Sequence, residues 1–127
     1  MSASQVLIAG AAEALRAIAG LTGVHEAMPV QAALPYVTIE AGLENDWGHK
    51  GGAGRELRLS VVLRDGGERP ERLRALGGAA QAAIEAIGPA LAGWRLVTLV
   101  PLRAMTVAEG PGRWILTLDY RARMLAD

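Results

Sequence analysis

The sequence predicts an α+β fold. It reads as a two-layer sandwich in the order α-β-β-α-β-β, with two helices on one face of a mostly antiparallel four-stranded sheet. Apolar residues recur at steps of three and four in two segments, and alternate with polar residues in the strand segments. Glycine-rich stretches separate the segments, and no linker or low-complexity tract divides the chain, so residues 1–127 read as one domain.

The first helix spans Ser4–Leu21. Leu7, Ala11, Ala14, Ile18 and Leu21 form its apolar stripe, Ser2 or Ser4 can cap its start, and Gly20 or Gly23 can end it. Val24–Leu34 is a connector with a short extended piece at Val24–Met28, where Pro29 and Pro35 oppose a helix. Pro35–Glu40 is rich in β-branched and aromatic residues and reads as a strand. Gly42–Gly54 is a polar, glycine-loaded loop, too long for a tight hairpin. The clearest strand is Arg55–Arg64, where Leu57, Leu59, Val61 and Leu63 alternate with Arg58, Ser60, Val62 and Arg64.

Asp65-Gly66-Gly67 turns the chain into a second helix, which Pro70 opens and Gly88-Pro89 closes. Leu73, Leu76, Ala80, Ile84 and Ile87 make its stripe. The Gly77-Gly78 pair inside it implies either a close approach to the sheet or a kink. Gly93–Leu102 is the third strand, with Trp94, Leu96, Thr98, Val100 and Leu102 on one face; Arg103–Ala108 can extend its arm. After the turn Glu109–Gly112, the fourth strand runs from Arg113 to Met124. The sheet face away from the helices is then mixed, with Arg58, Ser60 and Arg64 beside Val62, Leu99 and Ile115. Such a face, with unpaired strand edges, suits assembly.

The composition excludes several classes of function. Thirteen Lys and Arg balance thirteen Asp and Glu, whereas dedicated nucleic-acid binders carry a basic excess. The absence of cysteine removes disulfides, thiolate metal sites and thiol nucleophiles. The chain is 51% apolar yet only 4% aromatic, so its core consists of small and medium side chains, each burying little area. Burial of further surface in an oligomer would add stability. No apolar run is long enough to span a membrane. Met1–Ala19 lacks a basic start and is interrupted by Glu13 and Arg16, so it does not read as a signal peptide and a cytoplasmic site of synthesis is expected.

A search for catalytic chemistry finds little. No serine sits in a G-x-S-x-G elbow, and Ser60 falls within a regular strand pattern. His25-Glu26 lacks the second histidine of H-E-x-x-H, and His25 and His49 match no metal-ligand spacing. Gly48–Arg55 fails as a phosphate loop, because no Ser or Thr follows Lys50 and the next element is a strand. No catalytic residue, cofactor or metal is expected, and the chain does not read as an enzyme. Trp47 in a polar loop either anchors an interface or folds back onto its own protein. The strand arginines suit solvated faces or interface salt bridges.

These residues stand in a familiar order. Ala33-Leu34-Pro35-Tyr36-Val37-Thr38-Ile39 follows the first helix. Next come a loop with Asp46-Trp47 and Lys50, the strand entry Gly54-Arg55-Glu56-Leu57-Arg58-Leu59-Ser60-Val61, a Gly-Gly turn, an Ala-rich helix and strands ending in Tyr120-Arg121-Ala122-Arg123. The arrangement resembles the tail-completion, or tail-terminator, proteins of long-tailed phages, prophages and gene transfer agents, over nearly the whole chain. The resemblance implies a structural subunit of a homo-hexameric ring on the head-proximal end of a tail tube. Such a ring stops tube growth, joins the head–tail connector or stopper protein, and passes DNA without sequence preference. Its partners would be itself, the tail tube protein and the connector, with no membrane involved, and it would be assembled into the tail or neck of a particle. The candidate interaction residues are Asp46, Trp47, His49, Lys50, Arg55, Arg58, Arg121 and Arg123. The alternative is a small α+β ligand-binding or regulatory domain, which requires a concave pocket with convergent polar groups.

Overall fold

The computed structural model describes residues 1–127. Helix α1 spans Ala3–Arg16, and strands β1 (Gly23–His25), β2 (Tyr36–Asp46) and β3 (Gly54–Gly66) follow. Helix α2 spans Glu71–Glu85 and precedes β4 (Ala90–Leu91), β5 (Trp94–Ala108) and β6 (Arg113–Ala126). The strands form one curled, half-barrel sheet in the order β1-β2-β3-β6-β5-β4.

This architecture corrects the expected four-stranded, mostly antiparallel sheet: there are six strands, and the sheet is mixed because β1 runs parallel to β2. The α+β class stands. The two extra strands are too short to leave an alternation in the sequence. β1 is held beside β2 by Thr22, whose amide donates to the Pro35 carbonyl at 2.7 Å and whose hydroxyl donates to the carbonyls of Ala33 and Pro35. β4 pairs with the start of β5 across Ala92 and Gly93, both at positive φ (38° and 89°), as a two-residue hairpin turn of the primed type requires.

Ser2 caps α1. Its hydroxyl accepts from the Gln5 amide while the Gln5 side chain accepts from the Ser2 amide, a reciprocal capping box. The helix ends at Arg16, short of the expected Leu21. Gly20 turns the chain at φ 100°, and Ile18 and Leu21 pack onto the core from the turn instead.

The core lies between the helices and one sheet face. Val6, Leu7, Leu15, Leu73, Ala80 and Ile84 from the helices meet Ile39, Leu59, Leu63, Leu118, Tyr120 and Met124 from the strands. Gly77 of α2 faces Leu116, where a Cβ would come within 2.6 Å of a Leu116 methyl, whereas Gly78 faces open space. The Gly-Gly pair therefore includes one close approach. Asp65 is the one buried charged residue, 4% exposed, and Arg72 of α2 grips it through two hydrogen bonds of 2.8 and 2.5 Å. Those bonds, with a third from the Gly66 amide, hold the Asp65 carboxyl below the usual carboxylate range. Tyr120 is buried in the same layer. Its burial and, secondarily, the negative charge of Glu85 push its phenol up to about 12.

Candidate interaction face

The site is built from the other face of the same strands. β3 and β6 pair in continuous register over thirteen residues, which sets Glu56 against Arg123, Arg58 against Arg121, Ser60 against Asp119 and Val62 against Thr117. These residues alternate with the core positions and point away from the helices. β5 extends the rows, with Thr98 opposite Arg123, Val100 opposite Arg121 and Arg103 opposite Asp119.

Two β-bulges shape the β5 side, one at Val97 and one at Leu102, where the register shifts by a residue. The first overturns the expected facial pattern of that strand. Leu96 and Leu99 share the core side with Met124 and Ala122, while Thr98 and Val100 join the open face. A third irregularity on β2, between Ala41 and Glu44, leaves Gly42 and Leu43 alongside Arg58.

The segment expected to be a long loop is mostly a hairpin arm. β2 continues to Asp46, the Trp47 amide donates to the Gly54 carbonyl at 2.9 Å, and His49 and Gly52 exchange backbone bonds of 2.9 and 3.1 Å. Only Lys50 and Gly51 form the tip. Gly54 makes this closure possible, because a Cβ there would collide with the Trp47 carbonyl oxygen.

The candidate residues divide among three places. Trp47, Arg58, Arg121 and Arg123 lie on the open face. Trp47 is half-buried there rather than in the apolar core, and the Arg123 guanidinium sits 5.4 Å from its ring centroid. Arg55 lies on the opposite face of the arm, opposite Asp46 in the register, and its side chain binds Glu44 at 2.9 Å. Lys50 lies at the tip and His49 at its base, where the His49 ring accepts from the Gly51 amide at 3.0 Å and so shapes the turn. His25 stands apart, edge-on to Tyr36 at 5.7 Å.

Ser60, Glu56, Arg103 and Asp119 complete the open face. The Ser60 hydroxyl donates to Asp119 at 2.6 Å, and Arg103 binds the same carboxylate at 2.8 and 3.0 Å. Arg123 donates to Glu56 at 2.7 Å. This bond, aided by the charges of Arg123, Arg121 and Arg58, holds the Glu56 carboxyl below its ordinary value against the opposing effect of desolvation. Alternation alone identifies these residues as outward-facing; pairing them needs the register, which no local signal carries. Arg58, Ser60, Leu102, Arg103 and Asp119 line a shallow cleft with one apolar residue. No group of three or more His, Asp or Glu residues converges in a way that could hold a metal ion.

A covered apolar face and an ion-paired open face on one curled sheet define a two-layer α+β module. The chain belongs to the family described as Tail completion protein gp17, whose model matches residues 7–125. It is a phage-tail structural protein, not an enzyme. A solved chain from "Virion of native gene transfer agent (GTA) particle" is 28% identical to it, with a TM-score of 0.70; the match covers 99% of this chain and 100% of that one. No curated protein sequence matches. No helix is long and apolar enough to cross a membrane.

Proposed function

We propose that the protein, acting as one domain, is a subunit of a homo-hexameric ring that closes the head-proximal end of a phage-like tail tube and receives the head connector. The observation that carries this reading is the match over essentially the whole chain, in family and in fold, to a tail completion protein and a virion component. Ring closure requires a heterologous interface, in which one surface of each copy meets a different surface of the next. The sheet supports that requirement. β1 pairs only with Tyr36–Thr38 of β2 and β4 only with Trp94–Arg95 of β5, so both ends of the sheet leave long strand edges unpaired. The β2–β3 arm, with Asp46, Trp47, His49, Lys50 and Arg55, contacts a neighbouring copy or the tube, and Arg58, Arg121 and Arg123 contact the next subunit. Balanced charge suits a bore that passes DNA without gripping it. The subunit is made in the bacterial cytoplasm and assembled there into the tail or neck.

Electron microscopy of particles from cells lacking the gene tests the proposal. The expected result is tails of uncontrolled length, or of normal length without heads. Tails of normal length joined to full heads would refute it.

A further inference from the structure

Two guanidinium groups that face each other at the centre of the open face have no partner within the chain. Arg58 and Arg121 lie directly opposite each other on β3 and β6, and neither makes an ion pair. Like charges at opposed positions repel. The nearby carboxylates are engaged: Asp119 by Ser60 and Arg103, and Glu56 by Arg123. This block therefore sets Arg58, Arg103, Arg121 and Arg123 against two carboxylates.

A second observation falls at the same place. The Arg121 Nε is buried and has no acceptor in the chain, and neither has the buried hydroxyl of Thr98, which lies diagonally across the β5–β6 pair. Buried donors almost always find an acceptor. Arg58 itself is exposed beside the bulge at Gly42 and Leu43, and a Cβ on Gly42 would meet only open space.

We propose that Arg58 and Arg121 form a binding site for a carboxylate side chain from a second copy of this chain. The inference rests on the ring reading and deepens it by assigning one contact between copies. Charge complementarity selects the second copy: the whole chain is neutral, so the surface outside this block carries the matching acidic surplus of two charges. The same block disfavours DNA. A duplex presents an array of phosphates, and Glu56 and Asp119 flank the arginines and would repel it. A single carboxylate can enter between them and accept from both guanidinium groups, as charge-assisted bonds require.

Light scattering and sedimentation of the full chain at low salt provide the test, with R58Q and R58Q/R121Q as variants and circular dichroism to confirm folding. The wild type is expected to self-associate, and to do so less in about 0.5 M salt. The double variant is expected to associate at least about tenfold more weakly, and R58Q, at an exposed position, to show an intermediate loss with an unchanged fold. Undiminished association in R58Q overturns the inference even where the double variant fails to fold. A wild type that stays monomeric at low salt overturns it too. So does a short DNA duplex whose binding the variants abolish while association is unchanged, which would assign the pair to phosphate. The ring reading is judged separately, by whether the wild-type gene restores tail length in cells lacking it.

Discussion

The two faces of this sheet are built from the same strands, one residue apart, yet they solve different problems. On the covered face, Leu57, Leu59, Val61 and Leu63 of β3 are buried against α1, α2 and β6, and packing satisfies them entirely. On the open face, Glu56, Arg58, Ser60 and Val62 meet Arg123, Arg121, Asp119 and Thr117, and polar bonds leave a remainder in Arg58, Arg121 and Thr98. Local stability is concentrated on the first face. The second retains unspent hydrogen-bonding and charge capacity, which a folded monomer does not need and an assembly subunit does.

Adjacent substitutions on β3 should separate the faces most sharply. Leu59→Ala removes a fully buried side chain and should destabilise the fold by about 2–5 kcal/mol. Arg58→Ala, one residue away, should change stability by no more than about 0.5 kcal/mol. Chemical denaturation of the two variants checks this, and comparable losses would break the distinction.

Asp65 is the exception on the covered side, a buried charge tolerated because Arg72 and the Gly66 amide bind it. Asp65→Ala should lower stability by about 1–3 kcal/mol at neutral pH. Because folding lowers the Asp65 pKa, its contribution is full above the ordinary aspartate value of about 3.9 and is lost as pH falls through the lowered folded value. The gap between wild type and variant in melting temperature should therefore close below about pH 4.

Tyr120→Phe should be neutral or stabilising by up to about 1 kcal/mol at pH 7, since the buried hydroxyl has no acceptor. The raised phenol pKa carries the opposite sign to that of Asp65: the folded state is favoured below pH 10 and loses stability as pH rises toward 12. The phenylalanine variant should lack that alkaline decline in thermal melts.

The glycine pair of α2 gives a smaller contrast. Gly78→Ala faces open space and should stabilise by about 0.5–1 kcal/mol, whereas Gly77→Ala must displace Leu116 and should gain nothing or lose stability. An effect of similar size belongs to the open face. Trp47→Ala removes an aromatic–guanidinium contact and should alter stability by only about 0.5–1 kcal/mol, although that side chain is among those proposed to meet a neighbour.

The sequence made the covered face legible and the open face only in outline. Apolar periodicity locates both helices and the β3 alternation, because burial imposes its period on every residue of an element; the turn expected at Asp65-Gly66-Gly67 falls later, since β3 runs on through Gly66. The strands β1 and β4 span three residues and two, too few to show a period, so the sequence pattern yields four strands where the fold has six. Bulges at Val97 and Leu102 reset the alternation of β5, which composition does not announce. The glycines at 51, 52 and 54 suggested a loop, whereas Gly54 permits the close backbone approach that closes a hairpin. Among the candidate residues, alternation put Arg58 and Arg121 on outward faces, but their opposition across β3 and β6 depends on register between strands about sixty residues apart.

The most direct test of the central claim, that the open face serves assembly rather than folding, is complementation of cells lacking the gene by R58Q/R121Q. A variant that melts with the wild type yet leaves tails unfinished or unjoined to heads is the result predicted. Tails of normal length on full heads, made by a variant folded as well as the wild type, would contradict it.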